Sequence, residues 1–304
     1  MTDYQEILDT IYREFSSDTG GGKVADYIPA LAGVDPASYA ISVTDLKGNT
    51  YSVGDADTRF SIQSISKIFT LAMVSLHTGE ELWQSVGKEP SGTSFNSLVL
   101  LEREEGIPRN PFINPGAIVV TDRLIEHYSK PKQSILDFVR KACGQDDIYY
   151  DKTVAASELA TGHRNMALAC FMKDFGNIHN DIEEVMDVYC HQCSISMNTR
   201  ELSSALVFLA NKGISRMGEV ICPPQTAKRL NALMLTCGLY NESGDFAYKV
   251  GLPGKSGVGG GIVAVVPGEI VICVWSPELN VNGNSYRGIK TLERFTSLLD
   301  ISIF

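Results

Sequence analysis

Three serine and lysine pairs in the chain have the spacing Ser-x-x-Lys: Ser64/Lys67, Ser85/Lys88 and Ser129/Lys132. At that spacing a hydroxyl and an amine share one face of a helix, one turn apart, so that the amine can take the hydroxyl proton. Only Ser64 opens an apolar helical run (Ile65, Ile68, Phe69, Leu71, Ala72), which sets its hydroxyl near a helix N-terminus with Lys67 one turn onward. Ser66, beside the lysine, points elsewhere. The lysine serves as a base only where desolvation or a neighbouring cation leaves a neutral amine. Otherwise the pair is an N-cap serine with a solvated lysine.

A second motif, Lys255-Ser256-Gly257, stands at the mouth of the late strands, followed by Gly259, Gly260 and Gly261, where backbone and substrate can approach closely. Ser-x-x-Lys paired with a later Lys-Thr/Ser-Gly is the signature of penicillin-recognising serine enzymes. Around the two motifs lie Gln63-Ser64-Ile65-Ser66-Lys67, Asn114-Pro115-Gly116-Ala117, Cys237-Gly238-Leu239-Tyr240 and residues 25–29, 86–92, 157–165, 189, 193–195 and 251–258. Through these stretches the chain resembles, over nearly its whole length, the serine-dependent glutaminase family of bacterial type, which shares the β-lactamase-like fold.

The resemblance implies hydrolysis of L-glutamine to L-glutamate and ammonia through an acyl-enzyme. It implies Ser64 as nucleophile and Lys67 as its activating partner, with Tyr27 and Tyr240 moving protons and Lys255 completing the catalytic set. It implies glutamine contacts from Ser64, Asn114, Glu158, Asn165, Tyr189, Tyr240 and Val258, and an oxyanion held by the N–H groups of Ser64 and Val258. Glutamine presents an ammonium, a carboxylate and a neutral amide, so its pocket needs one fixed carboxylate and several neutral hydrogen-bonding groups. Glu158 with the Asn and Tyr residues supplies that set. No Ser-Asp-Asn motif is present, so the second element of the site is built otherwise, around Tyr189, and the group that deprotonates Ser64 stays open.

The periodicity predicts a first helix over 3–17, then a hairpin of strands in SYAISVT and NTYSV turning at Leu46-Lys47-Gly48. Helices follow over 66–78, 117–128, 134–142, 164–175, 181–190, 199–211 and 224–236. Strands return in FAYKVG, GGIVAVVP and EIVICVWSP before a closing helix over 285–299. That order predicts an α+β fold, an antiparallel sheet flanked by helices plus an all-α lobe. The sheet domain is expected to be discontinuous, 1–65 with 237–304, the helical domain to span 66–236, and the active site to lie at their interface.

A net charge of -10 and a pI near 5.0 exclude a nucleic-acid or anionic-membrane surface as the main partner. The N-terminus lacks the pattern of a signal peptide, and no apolar stretch reaches the roughly 20 residues that span a bilayer. Seven cysteines fit reduced thiols in the cytoplasm. Cys190-His191-Gln192-Cys193 is a lone C-x-x-C with no second ligand pair, the histidines form no H-E-x-x-H, and neither glycine-rich stretch meets a nucleotide rule, so neither metal nor cofactor is predicted. The resemblance implies a homodimer or homotetramer, with 101–108 matching a mobile loop near the site. Two rivals remain: an esterase, amidase or β-lactam hydrolase on the same scaffold, and a silent binding protein.

Overall fold

Residues from opposite ends of the chain build one sheet in the computed structural model, which describes residues 2–92 and 96–304. The strands in chain order are β1 (Ala40–Asp45), β2 (Thr50–Gly54), β3 (Phe60–Ser61), β4 (Tyr149–Tyr150), β5 (Ile195–Met197), β6 (Gly254–Ser256), β7 (Gly261–Val266) and β8 (Ile270–Trp275). The large sheet has the order β2-β1-β8-β7-β6, antiparallel throughout, so the early hairpin joins the late strands where β1 meets β8 (Ala40 opposite Trp275). The runs are β-branched and bounded by turns, as strands require.

The central strands are buried on both faces. Ile41, Val43, Ile262, Ala264, Ile272 and Val274 pack against helices Tyr4–Phe15, Ser243–Val250 and Tyr286–Leu299. Val263, Val265, Val271, Cys273 and Trp275 alternate with them and join the core of the helical body. Each fully buried Val or Ile contributes about 1.5–3 kcal/mol, which seats the sheet firmly between the two layers. On the helical side Ser42 and Thr44 bond to Thr199 (2.7 Å) and Ser203 (2.8 Å), so these buried hydroxyls are satisfied.

Several features differ from the sequence-based expectation, among them short helices Leu82–Ser85 and Leu98–Arg103 and a break that divides the helix expected over 199–211 into Thr199–Ala205 and Val207–Ala210. FAYKVG is not a strand: it belongs to helix Ser243–Val250, which ends at Gly251 in the left-handed conformation (φ 69°). Phe246 and Val250, four apart, fit a helical face as well as an alternating strand, and a run this short does not separate the two. The third late strand is instead β6, which carries Lys255 and Ser256. Helix Lys152–Thr161, which the periodicity missed, starts at Asp151, whose carboxylate accepts from the N–H of Thr153 and Val154. A small sheet, β3-β5-β4, was also missed.

Candidate active site

Ser64 lies in a turn of 3₁₀ helix, Gln63–Ser66, that runs straight into helix Lys67–Thr78. The turn is anchored by β3, whose ladder to β5 continues through Ile62 N–H to Ile195 O (3.0 Å). Gln63 then takes positive φ (49°), and Tyr240 does the same (φ 54°). Non-glycine residues in this region cost of order 1–3 kcal/mol and persist only where their surroundings over-determine them. Both flank the Ser64 hydroxyl.

The late motif meets the early one through glycine backbone. A β-carbon on Gly257 would stand 2.5 Å from Ile62 O and 3.2 Å from Ser64 N, and one on Gly259 would stand 2.1 Å from Ser61 O. The chain after β6 is therefore pressed on the turn that carries Ser64, an approach that a side chain would block. Among the described residues, neither the Ser64 nor the Val258 N–H is taken by a protein acceptor.

These elements surround a cavity of about 210 Å³, smaller than the roughly 300–1,000 Å³ of drug-sized sites and suited to a molecule of amino-acid size. All the sequence-predicted residues except the two lysines line it: Tyr27, Ser64, Asn114, Glu158, Asn165, Tyr189, Tyr240 and Val258. Tyr27 stands at the mouth, 55% exposed, and the others sit deeper. Gln63, Arg164 and Cys193 also line it and were not singled out from sequence as site residues. Gln63 could have been found from its place beside Ser64.

The lysines lie behind the lining. Lys67 is fully buried, and its ammonium donates to Phe112 O (3.1 Å) and Asn114 Oδ1 (2.8 Å) at the start of helix Asn114–His127. Asn114 Nδ2 donates in turn to Asn165 Oδ1 (3.0 Å), which leaves the Asn165 amide N–H groups for other acceptors. Lys255 donates to Gly238 O (3.1 Å) and Ser256 O (2.7 Å), with its Nζ 4.8 Å from the Tyr240 ring centroid. The Ser64 hydroxyl shares a side-chain hydrogen bond with Tyr240, which also bonds Ser256.

Burial sets the electrostatics. It pulls Lys67 down to about 8, against the opposing pull of Cys193 and Glu158, so roughly a tenth of this amine is neutral at pH 7. Burial, and then Lys67, hold Lys255 well below the usual lysine range. Glu158, on helix Lys152–Thr161, is pushed up to about 7 by burial although Lys67, Gln63 and Cys193 pull it back. Its Oε2 is buried with no hydrogen-bond partner. Burial also raises Tyr240, to about 12, so it holds its proton at neutral pH.

The residues matched by the family model described as Glutaminase are 22–304. A glutaminase of Christiangramia forsetii is 54% identical over 99% of this chain and all of its own length, and one of Agrobacterium fabrum is 53% identical over all of this chain and 99% of its own. The chain belongs to the glutaminase family. Glutaminases are hydrolases that act on amide bonds. The crystal structure of Mglu in its L-glutamate binding form superposes with a TM-score of 0.93 at 32% identity, covering all of this chain and 70% of that one. The fold shared with such glutaminases is the β-lactamase-like one.

One further cluster has metal-ligand chemistry: Asp122, Glu126 and His179 present ligand atoms within 4.8 Å of one another. Arg123 already fills that place, its Nη1 bonded to Asp122 and Glu126 and its Nη2 3.3 Å from His179 Nε2. The cation there is a guanidinium. Among the described residues, no helix is long and apolar enough to cross a membrane.

Proposed function

We propose that this glutaminase hydrolyses L-glutamine to L-glutamate and ammonia through an acyl-enzyme on Ser64. The observation that carries the reading is the Ser64 hydroxyl, bonded by Tyr240 in a cavity of amino-acid size whose one carboxylate, Glu158, has an oxygen without a partner. Glu158 takes the substrate ammonium, and the Asn165 amide with Arg164 takes its carboxylate. The side-chain amide then reaches Ser64. The L-glutamate that Mglu binds would be the product of this reaction.

Ser64 Oγ attacks the amide carbon, and the oxygen that becomes negative is held by the free N–H groups of Ser64 and Val258, worth about 3–4 kcal/mol per donor in such sites. The serine proton passes through Tyr240 towards the neutral amine of Lys67, then to the departing nitrogen, which leaves as ammonia. Water attacks the resulting ester, returns a proton to Ser64 and frees glutamate. Lys255, outside the cavity lining, holds Tyr240 and the strand end in place. The site then lies between the segments 1–65 with 237–304 and the body 66–236. We expect a homodimer or homotetramer by gel filtration.

Ser64→Ala tests the mechanism. Ammonia release from glutamine should fall by about 10⁴-fold or more, and the glutamyl adduct on the peptide containing Ser64, trapped by acid quench and read by mass spectrometry, should vanish. Ammonia release at wild-type rate from Ser64→Ala would sink it. Turnover of simple esters with none of glutamine would favour the esterase or amidase alternative.

A further inference from the structure

Tyr240 reaches Ser64 from a backbone conformation that its own side chain opposes (φ 54°). A side chain outside the cavity lining, Asn284, holds it there. Tyr240 begins a turn of 3₁₀ helix, Tyr240–Glu242, and the fully buried Asn284 spans that turn. Its Nδ2 donates to Leu239 O (3.3 Å) on one side and to Glu242 Oε2 (2.6 Å) on the other. Its Oδ1 accepts from Ser256 Oγ (2.6 Å) in β6. A carbonyl and a carboxylate can only accept, so the amide has one orientation, with both N–H groups and the oxygen in use.

Asn284 is itself rigidly mounted. Its N–H donates to Asn280 Oδ1 (3.2 Å) and its carbonyl accepts from Asn280 N (2.8 Å), in a loop closed at Gly283 (φ 84°). Asn280 Nδ2 donates to both Glu242 oxygens (2.9 Å each). Ser285, the next residue, caps helix Tyr286–Leu299 by accepting from Gly288 N (3.1 Å). The tyrosine's turn, β6 and the closing helix thus meet at one amide. The same amide gives the hydroxyls a direction. Ser256 has one proton and donates it to Asn284, so its oxygen is left to accept from Tyr240. The phenol proton then points at Ser256, and the phenol oxygen is open to the Ser64 proton.

We propose that Asn284 is a positioning residue for proton transfer, holding the Tyr240 turn against β6 so that the phenol oxygen faces the Ser64 hydroxyl. This rests on the reading of Tyr240 as the first acceptor of the Ser64 proton. Asn284 lies outside the cavity lining, so it acts on turnover through Tyr240. Asn114, Glu158, Asn165 and Tyr189, on other helices, keep their places around glutamine without it.

The test is a double-mutant cycle on the full chain: wild type, Asn284→Ala, Tyr240→Phe and the double variant, with kcat per folded molecule and KM for L-glutamine measured in each. Asn284→Ala should lower kcat by about tenfold to a hundredfold and leave KM within about twofold. In the Tyr240→Phe background the same substitution should change kcat by less than about threefold, because the group it positions is already gone. A merely structural residue would cost the same factor in both backgrounds, and that result overturns the role of Asn284, as does a raised KM with kcat kept. Tyr240→Phe with wild-type kcat overturns instead the reading of Tyr240 on which the proposal stands. Asn284→Asp keeps the shape of the side chain but sets a carboxylate against Glu242, and it should lower kcat as the alanine does. Adding Glu242→Gln to it puts a donor opposite an acceptor again and should return kcat to within about fivefold of wild type. No recovery in that pair overturns the clamp.

Discussion

Two buried clusters of charge in this molecule are built to opposite rules. Around Asp122 every oxygen is used: Oδ1 accepts from His179 N, Asn180 N and Asn180 Nδ2 (3.2, 2.8 and 2.9 Å), and Oδ2 from His179 N (3.0 Å) and Arg123. Around Ser64 the accounts stay open. Glu158 keeps an unpartnered oxygen, and among the described residues neither Lys67 nor Lys255 makes an ion pair. A saturated cluster holds two segments together, here helix Asn114–His127 and the turn at 177–181. An unsaturated one stores desolvation that a substrate can relieve. The difference separates structure from site more sharply than residue type does, since both clusters contain acids, bases and asparagines.

The comparison breaks first at Lys67. Lys67→Met should cut kcat by about 10³-fold or more, near 4 kcal/mol, with a melting temperature within a few degrees of wild type, because the charge that burial opposes is gone. A large loss of stability with activity retained would place Lys67 in the structural class. Asp122→Ala should do the reverse, costing about 3–5 kcal/mol in chemical denaturation by stranding Arg123, with an unchanged KM in the folded fraction.

A smaller effect sharpens the contrast. The folded-state pKa of Glu158, about 7, lies above the ordinary carboxylate value of 4.5, so the stability it contributes is fully present below pH 4.5 and is lost as pH rises through 7, by about 3 kcal/mol. Lys67, depressed to about 8 from 10.5, contributes stability present above 10.5 and lost as pH falls through 8. Denaturation of wild type against Glu158→Gln from pH 4 to 8 should show the wild type losing ground across that window. Parallel curves would mean that Glu158 is not held against its charge.

Legibility from sequence followed the same division. Strands β1, β2, β7 and β8 showed in their β-branched runs, and the helices with a clear apolar stripe were placed within a few residues. Helix Lys152–Thr161 was missed because Ala155, Ala156 and Ser157 give it hardly any stripe, although its Asp151 cap was readable. Strands β3 and β4, two residues each, exist only through their pairing with β5. Ser64, Lys67 and Lys255 were legible as paired motifs, and Glu158, Asn114 and Asn165 through the family resemblance. Gln63 and Cys193 were not, because a glutamine or a buried thiol acquires meaning only from what the fold sets against it. The second cysteine of the C-x-x-C, a motif with no ground in the sequence to be read as a metal site, supplies a thiol beside Glu158.

The contact of Gly257 with Ser64 joins parts of the chain that leave the ribosome far apart in time. Ser64 emerges early, yet Tyr240 and the glycines that close on it are translated near the end, and pairings of such long range form slowly. A nascent chain therefore carries a serine hydroxyl with neither its Tyr240 bond nor its strand, and the cavity around it is complete only when the last part of the sheet docks.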